Sequence, residues 1–226
     1  MTKVRVYPSI TTTRGSDWKG QIQEIKKLGL KEICLFPTCL DIKKRRELYR
    51  LLKRTGIKRI PLVHLRSDME LWELDYLVKN YKVKAFNVHS SSRYPIINDF
   101  LRYKEKIYIE NFRQPLNEKE VKRFSGICID FSHLEDSRLY YSKDYKHNLR
   151  LIKKYPCGCA HISAFTYDPE GTKKYHSVHH LDNLSELNYL RKYPKKHFPS
   201  ITAIELENSI GEQLRAKRYI LKLLKR

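Results

Sequence analysis

Short β-branched or apolar runs alternate with longer charged, amphipathic runs from one end of the chain to the other, and the pair recurs eight times. The strand candidates are VRVYPSI from Val4, EICLFPT from Glu32, RIPLVHL from Arg59, VKAFNVHS from Val83, KIYIENF from Lys106, GICIDFSH from Gly126, CGCAHISA from Cys157 and ITAIELEN from Ile201. Helix candidates lie between them. DWKGQIQEIKKLGL has Ser16 or Asp17 as N-cap and sets Ile22, Ile25 and Leu28 on one face, and DIKKRRELYRLLKRTG is stopped by Gly56. MELWELDYLVKNY, YPIINDFLRYKE, NEKEVKRFS, a long stretch from Ser137 to Tyr155, SELNYLRKY and EQLRAKRYILKLLKR complete the set.

Each helix returns the chain to the same end of a sheet, so the alternation argues for parallel strands, and eight such units close into a ring. The expected fold class is therefore α/β, a (β/α)8 TIM barrel, with residues 1–226 as a single domain; an open doubly wound sheet is the rival. Strand parity agrees with closure. Ile107, Ile109, Ile127, Ile129, Ile204 and Leu206 would face the helices, leaving Tyr108, Cys128 and Ala203 to face inward.

In such a barrel every strand delivers its C-terminal residues to one face. Six consecutive strands end in groups of one chemistry: His64, His89, Glu110, Asp130 with His133 just beyond, His161, and Glu205 with Glu207. A lone histidine at a strand end is more often a hydrogen-bonded structural residue than a ligand. Six strands converging imidazoles and carboxylates on one point would be electrostatically awkward without a cation, and these are the donors that Zn²⁺ and Mn²⁺ take.

These residues resemble the xylose isomerase-like barrels, which include sugar isomerases and epimerases and the endonuclease IV group of apurinic/apyrimidinic endonucleases. IENF around Glu110, IDFSHL with Asp130 and His133, HISA at His161 and IELEN at Glu205 carry the resemblance, in order and each on its expected strand. It implies a core metal site of Glu110, Asp130, His161 and a strand-eight glutamate, Glu205 in preference to Glu207. In the endonuclease branch it implies a second ion held by His64, His89 and a bridging Glu110. A third ion would need His133 and His176 with an aspartate where this chain has Lys174, so the third site is in doubt. Divalent cations, two of them and zinc before manganese, are the implied cofactors, with Glu110 and Glu205 as catalytic groups.

Lys plus Arg number 46 against 25 Asp plus Glu, a formal charge of +21 that favours polyanionic partners. Arg14, Arg66, Arg93, Arg113, Lys173 and Lys174 fall in loops after the strands, where they would compensate a phosphate. Tyr94, Phe112, Phe165 and Tyr167 fall near the same mouth, and His176, His179 and His180 in YHSVHHL form a loop arching over it or a merely solvated segment. The leading expectation is a phosphodiester hydrolase of abasic or damaged DNA; the alternative is a metal-dependent sugar or sugar-phosphate isomerase or epimerase, in which His64 and His89 have no metal role. The polar opening lacks the apolar core of a secretory signal, no run is long enough for a membrane span, and five cysteines without paired CxxC units suit a reducing compartment. A cytoplasmic protein with no membrane and no obligate protein partner is expected.

Overall fold

The computed structural model describes residues 3–92, 94–112, 114–168, 170–171 and 174–225. In chain order they form β1 (Arg5–Tyr7), β2 (Ser9–Thr11), α1 (Trp18–Lys27), β3 (Cys34–Phe36), α2 (Ile42–Leu52), β4 (Leu62–His64), α3 (Leu71–Tyr81), β5 (Ala85–Val88), β6 (Ile107–Glu110), α4 (Glu118–Arg123), β7 (Ile127–Asp130), α5 (Phe131–Tyr140), α6 (Ser142–Lys154), β8 (Cys157–Ile162), β9 (Ala164–Tyr167), β10 (Tyr175–Val178), β11 (Ile201–Ile204) and α7 (Ile210–Leu223). The principal sheet runs β1, β11, β8, β7, β6, β5, β4, β3, β2, with every pair parallel. Since β1 and β2 are two pieces of one strand, these nine segments close an eight-stranded barrel, and each expected strand lies on it.

The break in the first strand falls at Pro8, which has no N–H for a ladder. β1 pairs with β11 and β2 with β3, so the strand changes neighbours at the proline. Above that point the seam is stitched by side chains. Gln213 of α7 accepts from Ser9 N and donates to the carbonyls of Ser9, Leu206 and Asn208, while Gln21 of α1 accepts from Thr11 N and donates to Leu206 and Asn208. Two buried glutamines thus satisfy backbone groups that a continuous ladder would have paired.

The parity expected from the sequence holds. Tyr7, Cys34, Phe36, Leu62, Ala85, Cys128, Cys159 and Ala203 fill the barrel interior, whereas Ile107, Ile109, Ile127, Ile129, Ile204 and Leu206 join the core beneath the helices. Gly158 lets the interior close: a Cβ there would come within 2.1 Å of the Tyr108 ring. All five cysteines are free thiols.

Three helix expectations are corrected. YPIINDFLRYKE supplies only a 3₁₀ turn, Leu101–Lys106, begun where Asp99 accepts from Leu101 N. SELNYLRKY is a 3₁₀ run, Leu184–Lys192, in which buried Leu187 and Leu190 lie three residues apart, one turn of that tighter helix. The stretch from Ser137 to Tyr155 belongs to two helices: α5 starts at Phe131, directly off β7, and Tyr141 separates it from α6. Beyond the barrel, β9 and β10 form an antiparallel hairpin in which Tyr175 to Val178 is a strand rather than a loop. No helix among the described residues is long and apolar enough to cross a membrane.

A buried ion network holds the loops after β3 and β4. Arg45, with no exposed surface, directs Nε and Nη2 to the Glu73 carboxylate at 2.8 and 2.9 Å, and Nη1 to the Leu40 carbonyl at 2.9 Å and Asp68 at 3.3 Å. The Tyr49 hydroxyl donates to Glu73 at 2.8 Å. Arg66 forks onto Asp68 and reaches the Thr38 carbonyl.

Candidate metal centre

Glu110 ends β6 at the centre of the barrel mouth. Its Oε2 lies 3.1 Å from Nε2 of His64, which ends β4, and 3.1 Å from Nε2 of His161 on β8; its Oε1 lies 3.2 Å from Nε2 of His89 after β5. Asn87, one inward position before His89, donates to Oε2 at 2.6 Å and holds the carboxylate in place. Two groups of potential ligand atoms share Glu110: His64, His89 and Glu110, and Glu110, Asp130 and His161. His161 Nδ1 is 2.9 Å from Glu205 Oε2 and 3.5 Å from Asp130 Oδ2. Apart from His89, whose side chain is about one-fifth exposed, every one of these residues is buried.

Local structure explains why Asp130 faces this cluster. It is the N-cap of α5, and Oδ1 is taken by His133 N at 2.9 Å and by the Ser132 hydroxyl at 2.6 Å. Oδ2 is thereby left for His161 and, at 3.7 Å, for His133 Nε2. Asn111 exchanges two hydrogen bonds of 2.9 Å with the Asp130 backbone, binding the end of β7 to β6. Phe112 stacks on His89 with centroids 4.3 Å apart and meets His133 edge-on at 4.7 Å, while Tyr94 lies 5.1 Å from His89.

The electrostatics are those of a crowded set of acceptors. Burial alone would raise the Glu110 carboxyl, but His89 and His161 outweigh it and hold it well below the usual range. Burial would lower His161, yet Glu110, Asp130 and Glu205 push it well above an ordinary imidazole. Glu205 is held at about 2, the burial cost being exceeded by His161 and His179. His133 is raised, Asp130 and Asp136 prevailing over its burial.

One observation tests whether the set fits a cation. Both ring nitrogens of His161 are buried and neither has an aligned hydrogen-bond partner, although carboxylate oxygens lie close to each. A buried ring among three carboxylates, with neither nitrogen in an aligned hydrogen bond, is poorly satisfied as a purely structural network, and imidazole and carboxylate donors gathered this closely suit a divalent ion. The donors present fit such an ion.

The other sequence-predicted residues fall into three groups. His133 borders the cluster, with Nδ1 3.3 Å from Asp136. His176 does not join it: it sits on β10, its Nδ1 3.4 Å from the Lys174 carbonyl. Instead His179, to which the sequence assigned no definite role, has Nδ1 3.4 Å from both Ser163 Oγ and the Glu205 carbonyl. Glu207 turns away from His161, accepting from Thr13 Oγ at 2.5 Å, and exposed His180 lies 3.7 Å from it. Of the expected phosphate-binding cations, Arg14 is exposed, Arg66 is engaged by Asp68, and Lys174 lies 5.5 Å from the Tyr140 ring. Arg93, Arg113 and Lys173 lie outside the described residues. Phe165 is buried in the core, whereas Tyr167 is exposed on the hairpin. Sequence reasoning missed Asn87, Asn111 and Ser132, whose only signal is their place beside the strand-end ligands, and Ser177, whose hydroxyl donates to Ser132 at 2.8 Å and joins the hairpin to α5.

No family model matches the chain, and no curated protein matches it. Solved structures similar to it are xylose isomerase-like barrels and their kin. Endonuclease IV from Thermus thermophilus is 16% identical over 97% of this chain and 98% of its own, with a TM-score of 0.45. A xylose isomerase-like TIM barrel protein from Mycobacterium smegmatis, in complex with magnesium, is 14% identical over 97% and 96%, TM-score 0.41. The 3-keto-D-glucoside 4-epimerase of E. coli is 14% identical over 99% and 100%, TM-score 0.40. Those activities belong to those proteins.

Proposed function

We propose that the chain is a divalent-metal-dependent phosphodiester hydrolase of the endonuclease IV kind, acting on abasic or damaged DNA. The observation that carries this reading is the sharing of Glu110 by two ligand groups, one of which contains His64 and His89. A site that gripped a sugar through one ion would leave those two imidazoles without a task. His64, His89 and Glu110 would hold one ion and Glu110, Asp130 and His161 the other, with Glu205 beside the second. Zinc suits this mixture of imidazole and carboxylate.

Such ions, when bound, supply Lewis acidity toward a phosphoryl oxygen and a water of lowered pKa. The chain supplies the rest. Asn87 fixes the bridging carboxylate, Glu205 orients His161, and the Asn111 clamp keeps Asp130 at its height on β7. Glu205, buried beside the cluster and held ionised by His161 and His179, supplies a fixed negative charge next to the second ligand group. The charge of +21 attracts a polyanion from a distance.

Metal analysis of the purified chain together with a nicking assay on abasic DNA tests the reading. Two equivalents of tightly held ion and cleavage with zinc, manganese or cobalt are expected. A single equivalent with no nicking, and interconversion of a sugar phosphate in its place, would transfer the site to the isomerase alternative.

A further inference from the structure

The end of the barrel opposite the metal centre contains a hollow of about 440 Å³, open to solvent and ringed by the residues that lead into the strands. Lys3 and Arg5 come from the start of β1, Arg59 from the approach to β4, and Lys82 and Lys84 from the approach to β5. Five cations therefore face one concavity. The single carboxylate that lines it among the described residues, Glu32, is engaged by Arg59 in an ion pair. None of Lys3, Arg5, Lys82 and Lys84 has a carboxylate within ion-pair distance among the described residues. Tyr7 lies at the floor, buried in the barrel interior.

A second, independent feature marks the same place. Lys82 has φ of 54°, the only positive value at a non-glycine position among the described residues. It closes α3 in the left-handed conformation, where glycine would carry no steric penalty. A lysine at that position keeps a cation at the rim at the expense of backbone comfort, and residues held in sparsely populated conformations concentrate at binding sites.

We propose that this hollow binds a compact chain of phosphates, two or three phosphoryl groups long, either free or as the tail of a nucleotide. Arg5 meets the Tyr7 hydroxyl, but none of the four cations has a carboxylate to offset its charge; they repel one another around one cavity, and a multivalent anion relieves that repulsion more than a monovalent one. The volume exceeds what a single phosphate fills and lies within the range of small-ligand pockets. The site is separate from the metal centre, so it stands or falls independently of the reaction assigned there.

The test is calorimetric titration of the full chain, freed of metal, with tripolyphosphate, ATP and orthophosphate at fixed low ionic strength. Tripolyphosphate is expected to bind at least about tenfold tighter than orthophosphate. ATP binding like tripolyphosphate identifies the phosphate chain alone as the ligand, and ATP binding much more tightly adds a contribution from the nucleoside; either result upholds the site. Lys82→Gly is expected to weaken tripolyphosphate binding about fivefold while leaving the Tm unchanged or higher, since it removes a charge and relieves the left-handed residue. Lys84→Ala, which leaves that turn intact, is expected to weaken binding to a similar degree. Lys146→Ala with Lys153→Ala removes two charges from the outside of α6 and is expected to change affinity less than about twofold. Equal losses in the α6 variant and in the rim variants, or no preference for tripolyphosphate over orthophosphate, would overturn the proposal.

Discussion

Among the buried ionic clusters of the described residues, those around Arg45 and Glu110 are finished to different degrees. Around Arg45 the guanidinium finds Glu73, Asp68 and the Leu40 carbonyl, and Tyr49 completes Glu73, so none of their buried polar atoms lacks a partner. Around Glu110, by contrast, three carboxylates and several imidazoles crowd together, and both nitrogens of His161 go without an aligned partner. A satisfied network specifies the fold and has no further requirement; an unsatisfied one at equal depth is a place prepared for something else. The difference sets a closed ionic network apart from one whose donors are not used up, without reference to position in the barrel.

That contrast can be broken by experiment. The largest effect is expected from Glu110→Gln, which should reduce phosphodiester cleavage about a thousandfold, the rate equivalent of the several kcal/mol that metal ions contribute. Metal content should fall with it while the circular dichroism spectrum stays native, and unchanged metal occupancy would refute the bridging role. Glu73→Ala should do the opposite: it strands a buried guanidinium and is expected to cost about 3–5 kcal/mol in urea unfolding with little change in metal stoichiometry. If Glu73→Ala proved as stable as the parent, the Arg45 cluster would not be the fold-specifying one.

Chelation should come next in size. Removing ions from the Glu110 centre is expected to lower stability by about 2.7 kcal/mol where free ion stood at 100 times its Kd, seen as a drop in Tm that added zinc reverses. A Tm indifferent to chelator would mean that the unsatisfied His161 nitrogens have another explanation. The smallest effect concerns Asp68. Burial acts to raise its carboxyl, but Arg66 and Arg45 prevail and its folded value lies below the ordinary one. Its contribution is then complete above the unfolded value of about 3.9 and is lost as pH falls through the folded value. Because Asp68 is partly exposed, Asp68→Asn should cost within about 1 kcal/mol at neutral pH. The two stability curves should approach one another in acid, and a constant gap down to strongly acid pH would count against the ion pair.

The hydrophobic period of the chain made the eight strands legible, because a parallel strand in a barrel buries both faces and the ladder imposes alternation on every one. Parity then placed His64, Glu110, Asp130, His161 and Glu205 on the inner side, and the structure brings them within contact of one another. Two of the helices were less legible, since amphipathic stretches of nine to twelve residues do not reveal from composition whether they wind with 3.6 or three residues per turn. The stitches were not legible at all. Gln21, Gln213, Asn87 and Asn111 are ordinary polar residues in sequence, and their importance lies in which backbone or carboxylate atom each meets.

Local chemistry along the chain thus determined the repeat, the closed parallel ring and the kind of atoms at its mouth, since these depend on periodicities of two and about four residues that are written in order. The preference for Glu205 over Glu207 is met, and tertiary structure alone decided that Glu207 turns to Thr13, that His179 and not His176 approaches the cluster, that Arg66 is engaged by Asp68, and that five cations surround a hollow at the far end. Apart from the Arg66–Asp68 contact, those outcomes depend on residues far apart in the chain, such as Thr13 and Glu207 or Lys3 and Lys84, whose distances no local pattern encodes.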